Sequence, residues 1–163
     1  MRQKRDLILK CRDDVINGKK ITDSKISELF NIDNELLLDL SDASNHITRH
    51  FHGSKVDIEE LANIKKNFCS EDCSFCSQSA FFNTQINDYQ LPSPEEIVQQ
   101  ALMAKNEGAS SFCLVAAWRE PNTLDFEKVC KIIEEINKKV GISIECSLGF
   151  LTVKQAKTLK KLQ

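Results

Sequence analysis

"NFCSEDCSFCSQS", residues 67–79, sets Cys69, Cys73 and Cys76 in a Cys-x-x-x-Cys-x-x-Cys run. Structural zinc usually draws on two Cys-x-x-Cys pairs and closes its coordination shell with four ligands. A 4Fe–4S cube normally takes four cysteines as well. Three thiols can hold three corners of such a cube and leave one iron open to a substrate or cofactor. A three-thiol zinc site and a chance grouping are the competing readings. Phe75, just before the last cysteine, can shield a cluster, pack on a flat cofactor, or simply plug the loop with an apolar ring.

Downstream of the loop the pattern is regular. Ser93-Pro94-Glu95-Glu96 reads as a capping box with proline at the first helical position. The helix it opens puts Ile97, Ala101, Leu102 and Ala104 inward and stops at Gly108. "SSFCLVAA" (110–117) is a continuous apolar run, as expected of a parallel strand buried on both faces. "LDFEKVCKIIEEINKKV" (124–140) carries Phe126, Val129, Cys130, Ile133 and Ile136 at helical spacing. "GISIECSLG" (141–149) is the next strand, and Thr152-Val153-Lys154-Gln155 is a second capping box. This alternation predicts right-handed βαβ units on a parallel sheet. "VDIEELANIKK" (56–66) fits either a helix or a strand, and "FFNTQINDYQLPS" (81–93) reads as an irregular connection.

Upstream, residues 1–53 read as a helical extension with a break near Asn31–Asp33, ended by Gly53. Residues 54–163 then hold the first units of a βα barrel that carries the cysteine loop. A closed eight-stranded barrel takes about 250 residues. The expected fold is therefore α/β, a partial TIM-type barrel with an N-terminal helical extension, truncated at residue 163.

The 163-residue chain is 41% hydrophobic and 28% charged, the balance of a globular protein. A net charge of −2 gives no general attraction to nucleic acid or to anionic membranes. The longest apolar run, "FCLVAAW" (112–118), is far short of the roughly 20 residues that span a bilayer. Asp6 and Lys10 break up the N-terminal apolar stretch, a poor signal peptide, so a cytoplasmic location is expected. Seven cysteines in such a compartment should be reduced thiols.

Cys113 and Cys146 lie about one βα unit apart, a span of roughly 30 residues. Equivalent positions on adjacent parallel strands face the same way, so both thiols are expected to point into the barrel. Ligation and core packing both fit that spacing. Cys11 and Cys130 sit on apolar helix faces and read as small core residues. His46 and His50 are four apart with His52 nearby, but Ile47 stands where a zinc-hydrolase helix has glutamate. A solvated helix end explains them.

"CSEDCSFCSQS" resembles the cluster loop of the radical S-adenosylmethionine (SAM) enzymes, Cys-x-x-x-Cys-x-aromatic-Cys, and within them the Cys-Pro-Glu-Asp-Cys-x-Tyr-Cys-x-Gln-Ser segment of the biotin synthase family. "FCLVAAWRE" (112–120) is similar to that family's Phe-Cys-Met-Gly-Ala-Ala-Trp-Lys/Arg strand. "IECSLGFLTVKQAKTLKK" (144–161) is similar to its Cys-x-x-Leu-Gly-x-Leu stretch and the Gln-Ala-x-x-Leu that follows. The resemblance runs from about Asn45 to the end. Ser70 replaces a proline, Asn67 a glycine and Val115 another glycine. Asn67 tolerates a left-handed backbone. Val115 would crowd a cofactor if it points inward.

The resemblance implies a sulfurtransferase that makes biotin from dethiobiotin. Cys69, Cys73 and Cys76 would hold a 4Fe–4S cluster, with SAM on its open iron. A flavodoxin or ferredoxin would supply the electron, and cleavage of SAM would yield the radical that takes hydrogen from dethiobiotin. Cys113 and Cys146 would bind a 2Fe–2S cluster that gives up sulfur. Phe75, Ala116 and Trp118 would line the cofactor site. A homodimer is implied for the full-length enzyme, with no nucleic-acid or membrane partner. The family's third 2Fe–2S cysteine, its arginine ligand and most of its dethiobiotin pocket have no counterpart before Gln163, so the chain alone is expected to be inactive. The alternatives are another enzyme of this subfamily, such as a hydrogenase-cluster maturase or methylornithine synthase, and a non-enzymatic metal or electron-transfer module.

Overall fold

The computed structural model describes residues 2–87 and 91–162. The chain divides into two compact units, Met1–Val56 and Asp57–Gln163.

The first unit is helical. α1 (Arg2–Ile16), α2 (Asp23–Phe30) and α3 (Leu37–His52) follow one another, with a 3-10 turn at Asn34–Leu36 before α3. The break expected near Asn31–Asp33 falls in the connection before that turn. Ile8, Leu36 and Ala43 form a small core that Leu29, Ile32 and Leu40 flank, and Cys11 is buried. Gly53 caps α3 at φ 66°, a conformation that side chains with a Cβ rarely take.

The second unit is a three-stranded parallel sheet in the order β1 (Glu59–Lys65), β2 (Ser111–Ala116), β3 (Ser143–Ser147). α4 (Pro94–Asn106), α5 (Thr123–Lys139) and α6 (Val153–Leu162) connect and follow the strands. Within residues 56–66, open between helix and strand, β1 forms: Ala62 and Ile64 are buried against the helices, Ala62 pairs with Leu114 of β2, and the register slips at Ile64. Asp88, Tyr89 and Gln90 of the expected irregular connection lie outside the described residues.

Both capping boxes form. Glu96 N–H donates to Ser93 Oγ while Ser93 N–H donates to Glu96 Oε2. Gln155 N–H and Thr152 Oγ1, with Thr152 N–H and Gln155 Oε1, repeat the exchange. One face of the sheet is packed by helices. Ala62, Ile64, Phe112, Leu114, Ala116 and Ile144 share a core with Ile97, Ala101, Val129, Ile132, Ile133 and Ile136. Leu102, expected inward on α4, is 38% exposed, and Val98 is buried in its place. Cys130 is half-buried, less enclosed than a core reading predicts. The opposite face carries Leu61, Asn63, Cys113, Val115, Glu145 and Ser147, as the strand pairing requires. In the complete barrels this alternation describes, that is the inward face. The arrangement is α/β with a partial parallel sheet.

Candidate functional site

The cysteine loop leaves β1 through a sharp left-handed turn. Asn67 and Phe68 have φ of 60° and 51°. Asn67 can hold this backbone where most side chains strain it. It is also buried and fully engaged. Its Nδ2 donates to the Ile86 carbonyl at 2.6 Å, its N–H donates to Gln78 Oε1 at 2.6 Å, and its Oδ1 accepts from Phe68 N–H at 2.9 Å. Lys65 spans the base of the loop, donating from Nζ to the carbonyls of Asn67 at 2.7 Å and Ala117 at 2.9 Å.

The loop then closes on itself. Cys69 N–H donates to the Gln78 carbonyl at 2.9 Å, and Ala80 N–H to the Cys69 carbonyl at 2.8 Å. Cys76 N–H donates to the Cys73 carbonyl at 2.9 Å, which makes a tight turn between the last two thiols. Ser79 is buried, and its Oγ accepts from Phe81 N–H. All three thiols are free. Cys73 is exposed, whereas Cys69 and Cys76 are half-buried. Phe75 is 93% exposed, so its ring is not a plug for the loop.

A second wall comes from the ends of β2 and β3. Trp118 donates from Nε1 to the Leu148 carbonyl at 2.8 Å and packs against the helix-side core. Ala116 is buried in that core. Arg119 donates to Glu71 of the cysteine loop at 2.8 Å, and its guanidinium lies 5.1 Å from the Phe150 ring centroid. The Glu71 carboxylate holds the Arg119 guanidinium further above its ordinary value. Phe150 N–H donates to the Arg119 carbonyl, and Gly149, at φ 69°, passes so close that a Cβ there would lie 2.3 Å from that oxygen.

The inner face holds the remaining candidates. Cys113 pairs with Leu61 on one side and Glu145 on the other, whereas Cys146 pairs with Leu114. The expectation that Cys113 and Cys146 face the same way is therefore corrected. They are one residue out of step, and one residue reverses the face of a strand. Cys146 lines a cavity with Ile133, Leu151, Ala156 and Leu159, on the side of α5 and α6. Cys146 is exposed, yet desolvation on the helix side first, then the charges of Cys113 and Cys130, push its thiol up to about 11. Cys113 is raised too, by burial first and then by Glu59 and Glu145. Val115 shares the face of Cys113, and Asn63 opposite it carries a buried Oδ1 with no hydrogen-bond partner among the described residues.

Among the described residues no group of three or more His, Cys, Asp or Glu side chains is gathered so as to hold a metal ion. His46 faces Asp42 at 3.7 Å, and His50 packs its ring edge-on with Phe51. Sequence reasoning did not single out Lys65, Gln78, Glu71, Arg119 or Glu145. For Glu145 a signal existed: one residue separates Cys146 from Leu148-Gly149, where the pattern it resembles has two.

Residues 63–163 match the radical SAM superfamily, and the chain belongs to that superfamily. Over 158 residues it is 63% identical to the biotin synthase of Nitrosopumilus maritimus (strain SCM1), covering 97% of this chain and 48% of that one. It is 54% identical over 155 residues to the biotin synthase of Cenarchaeum symbiosum (strain A), covering 95% and 48%. The chain thus spans about half the length of the curated relatives it matches. Its fold is similar to that of methylornithine synthase, at a TM-score of 0.77 and 23% identity over 93% of this chain and 44% of that one. It is also similar to a maturase of the FeFe-hydrogenase, at 0.75 and 19%, covering 97% and 35%.

Membership of the superfamily implies a 4Fe–4S cluster and SAM. The donor chemistry fits. Three soft thiols, none in a disulfide, stand on one loop closed by its own backbone. The unpartnered Asn63 Oδ1 offers a further polar contact on the inner face.

Proposed function

We propose that the chain carries the cluster-binding and SAM-binding part of a biotin synthase. The observation that carries this reading is the closed loop of Cys69, Cys73 and Cys76 at the C-terminal edge of the sheet, in a chain 63% identical to a biotin synthase. Barrel enzymes place their chemistry at that edge. Cys69, Cys73 and Cys76 are the residues to hold the 4Fe–4S cluster. When bound and reduced, the cluster with SAM supplies hydrogen-abstracting radical chemistry that no side chain can provide.

The protein's own part is positioning. Lys65 and Asn67 fix where the loop leaves β1. Glu71 and Arg119 tie the loop to the end of β2. Phe75 presents an exposed ring to whatever flat group docks beside it, and Trp118 holds the ends of β2 and β3 together. Ala116 and Trp118 contribute to the cofactor site through the backbone of this edge, since their side chains pack toward the helices. The substrate in this reading is dethiobiotin, and the electron donor is a flavodoxin or ferredoxin. In this reading the protein is cytoplasmic, is a homodimer when full length, and has neither nucleic acid nor a membrane as partner. Among the described residues no helix is long and apolar enough to cross a membrane. For a 2Fe–2S cluster, Cys113 stands on the inner face as a candidate ligand, whereas Cys146, on the helix side, does not fit.

One observation favours a second reading. Without a paired thiol beside Cys113, the chain is also compatible with a radical SAM enzyme of the methylornithine synthase or hydrogenase-maturase type. Anaerobic reconstitution with iron and sulfide tests both. A brown chain whose cluster EPR signal changes on adding SAM is expected, and C69S, C73S and C76S should each abolish it. A second iron–sulfur species favours biotin synthase, and a single cubane favours the relatives. A colourless, zinc-loaded chain would sink the radical SAM reading.

A further inference from the structure

We infer that Cys113 and Cys146 do not share a ligand, and that the β3 residue facing the same site as Cys113 is Glu145. The inference goes further than the biotin synthase reading and rests on it only in treating the inner face as a second cofactor site. Three geometric facts carry it. The strand register pairs Cys113 with Glu145 and Cys146 with Leu114. Cys146 lines a cavity with Ile133 of α5 and Ala156 and Leu159 of α6, which places its thiol on the helix side. Glu59, two residues before Leu61 on β1, shares the inner face with Cys113 and Glu145 by the same register, and the Glu145 carboxylate raises that of Glu59.

The chemical consequence is a change of donor. A site between β2 and β3 meets one thiol and one carboxylate, with a second carboxylate close by. Carboxylate is a harder donor than thiolate and suits iron that keeps an oxygen ligand better than an all-thiolate cluster. A mixed thiolate–carboxylate site is therefore the arrangement this face offers to iron or to an iron–sulfur cluster.

Two measurements separate this inference from the reading it builds on. Dibromobimane joins two thiols only when they are neighbours, and peptide mapping identifies the pair. In the unaltered apo chain no Cys113–Cys146 bimane link is expected. In the double variant E145C/C146S, Cys113 should link to position 145. A Cys113–Cys146 link in the unaltered chain, or failure of Cys113 to link to position 145 in a folded double variant, overturns the inference. Circular dichroism establishes that the variant is folded. Anaerobic reconstitution then addresses the cofactor through iron content and Mössbauer spectra. Any second iron species should survive C146S and be lost or altered in C113S and E145Q; loss in C146S with retention in E145Q overturns the inference. Absence of a second species from the unaltered chain counts against the biotin synthase reading, while the bimane links still decide which residue faces Cys113.

Discussion

Arg119 at the end of β2 donates to Glu71 of the cysteine loop at 2.8 Å, although the two lie far apart in sequence. The contact joins the segment that carries Cys69, Cys73 and Cys76 to the corner where Phe150 and Gly149 pass beneath Arg119. Both side chains are substantially exposed. An exposed pair of this kind adds little to global stability. Its effect is local, because it limits how far the loop can swing from the sheet.

R119A should therefore leave the melting temperature nearly unchanged and weaken retention of the cluster. The measurement is the rate at which a chelator strips iron from the reconstituted chain. A several-fold faster loss is expected in R119A than in the unaltered chain. High salt should narrow the difference, since it screens the exposed pair. Equal rates at low salt would show that Lys65 and Asn67 hold the loop without help.

Asn67 supplies a prediction with an internal control. Its φ of 60° strains any residue with an ordinary side chain, and its Nδ2 bonds the Ile86 carbonyl. N67A loses the hydrogen bonds and keeps the strain. A left-handed residue costs about 1–2 kcal/mol and each lost hydrogen bond about 1 kcal/mol. N67G removes the strain and loses only the bonds. Urea denaturation should rank stability as unaltered chain, then N67G, then N67A. Equal stability of the two variants would mean that the left-handed turn relaxes when the side chain is removed.

The sequence made much of this layout legible, and the reasons differ by element. Ser93–Glu96 and Thr152–Gln155 each form the reciprocal cap, because capping is decided within four residues. The break before α3 and the glycine at its end are local in the same way. The three loop cysteines stand out because their spacing lies inside eight residues. Legibility failed where the outcome depended on pairing between strands. Cys113 and Cys146 look equivalent along the chain; the one-residue deficit before Leu148-Gly149 hints otherwise, and the register of β2 against β3 shows that Glu145 occupies the matching face. Leu102 failed for a related reason: helical period alone does not say which edge of the apolar stripe meets α5. Arg119–Glu71 and Lys65–Ala117 are long-range contacts of side chains that read as ordinary surface charge.

Cys146 gives a pH-dependent expectation. Its thiol is pushed up to about 11 in the folded chain, from an ordinary value near 9.0. Between those values the unfolded chain has lost the thiol proton and the folded chain still holds it. The unfolded state then binds fewer protons, so this group's contribution makes stability fall as pH rises through that window. Below it, the group makes no difference. C146S should flatten the decline of melting temperature above pH 9.0 and leave the curve at neutral pH parallel to that of the unaltered chain. Alkylation of Cys146 should also be slow at neutral pH, since the thiolate is the reacting form. Rapid alkylation there would contradict the raised value.

Gly149 separates backbone strain from lack of space. Gly108 and Gly149 both have positive φ, 96° and 69°. A Cβ at Gly108 would meet nothing within 4 Å, whereas one at Gly149 would lie 2.3 Å from the Arg119 carbonyl oxygen and 2.9 Å from that of Trp118. G108A therefore costs only the strain of a left-handed alanine, about 1–2 kcal/mol. G149A adds the displacement of a backbone that the Phe150 N–H bond to Arg119 holds in place, an overpacking cost of about 1–3 kcal/mol. The chain's single tryptophan, Trp118, donates to Leu148 beside this corner and reports on it directly. In G149A its emission should shift to the red in the folded state, and the urea midpoint should fall further than in G108A. If both variants lose the same stability and Trp118 emission does not move, the close approach of Gly149 to Arg119 is not a constraint on the fold.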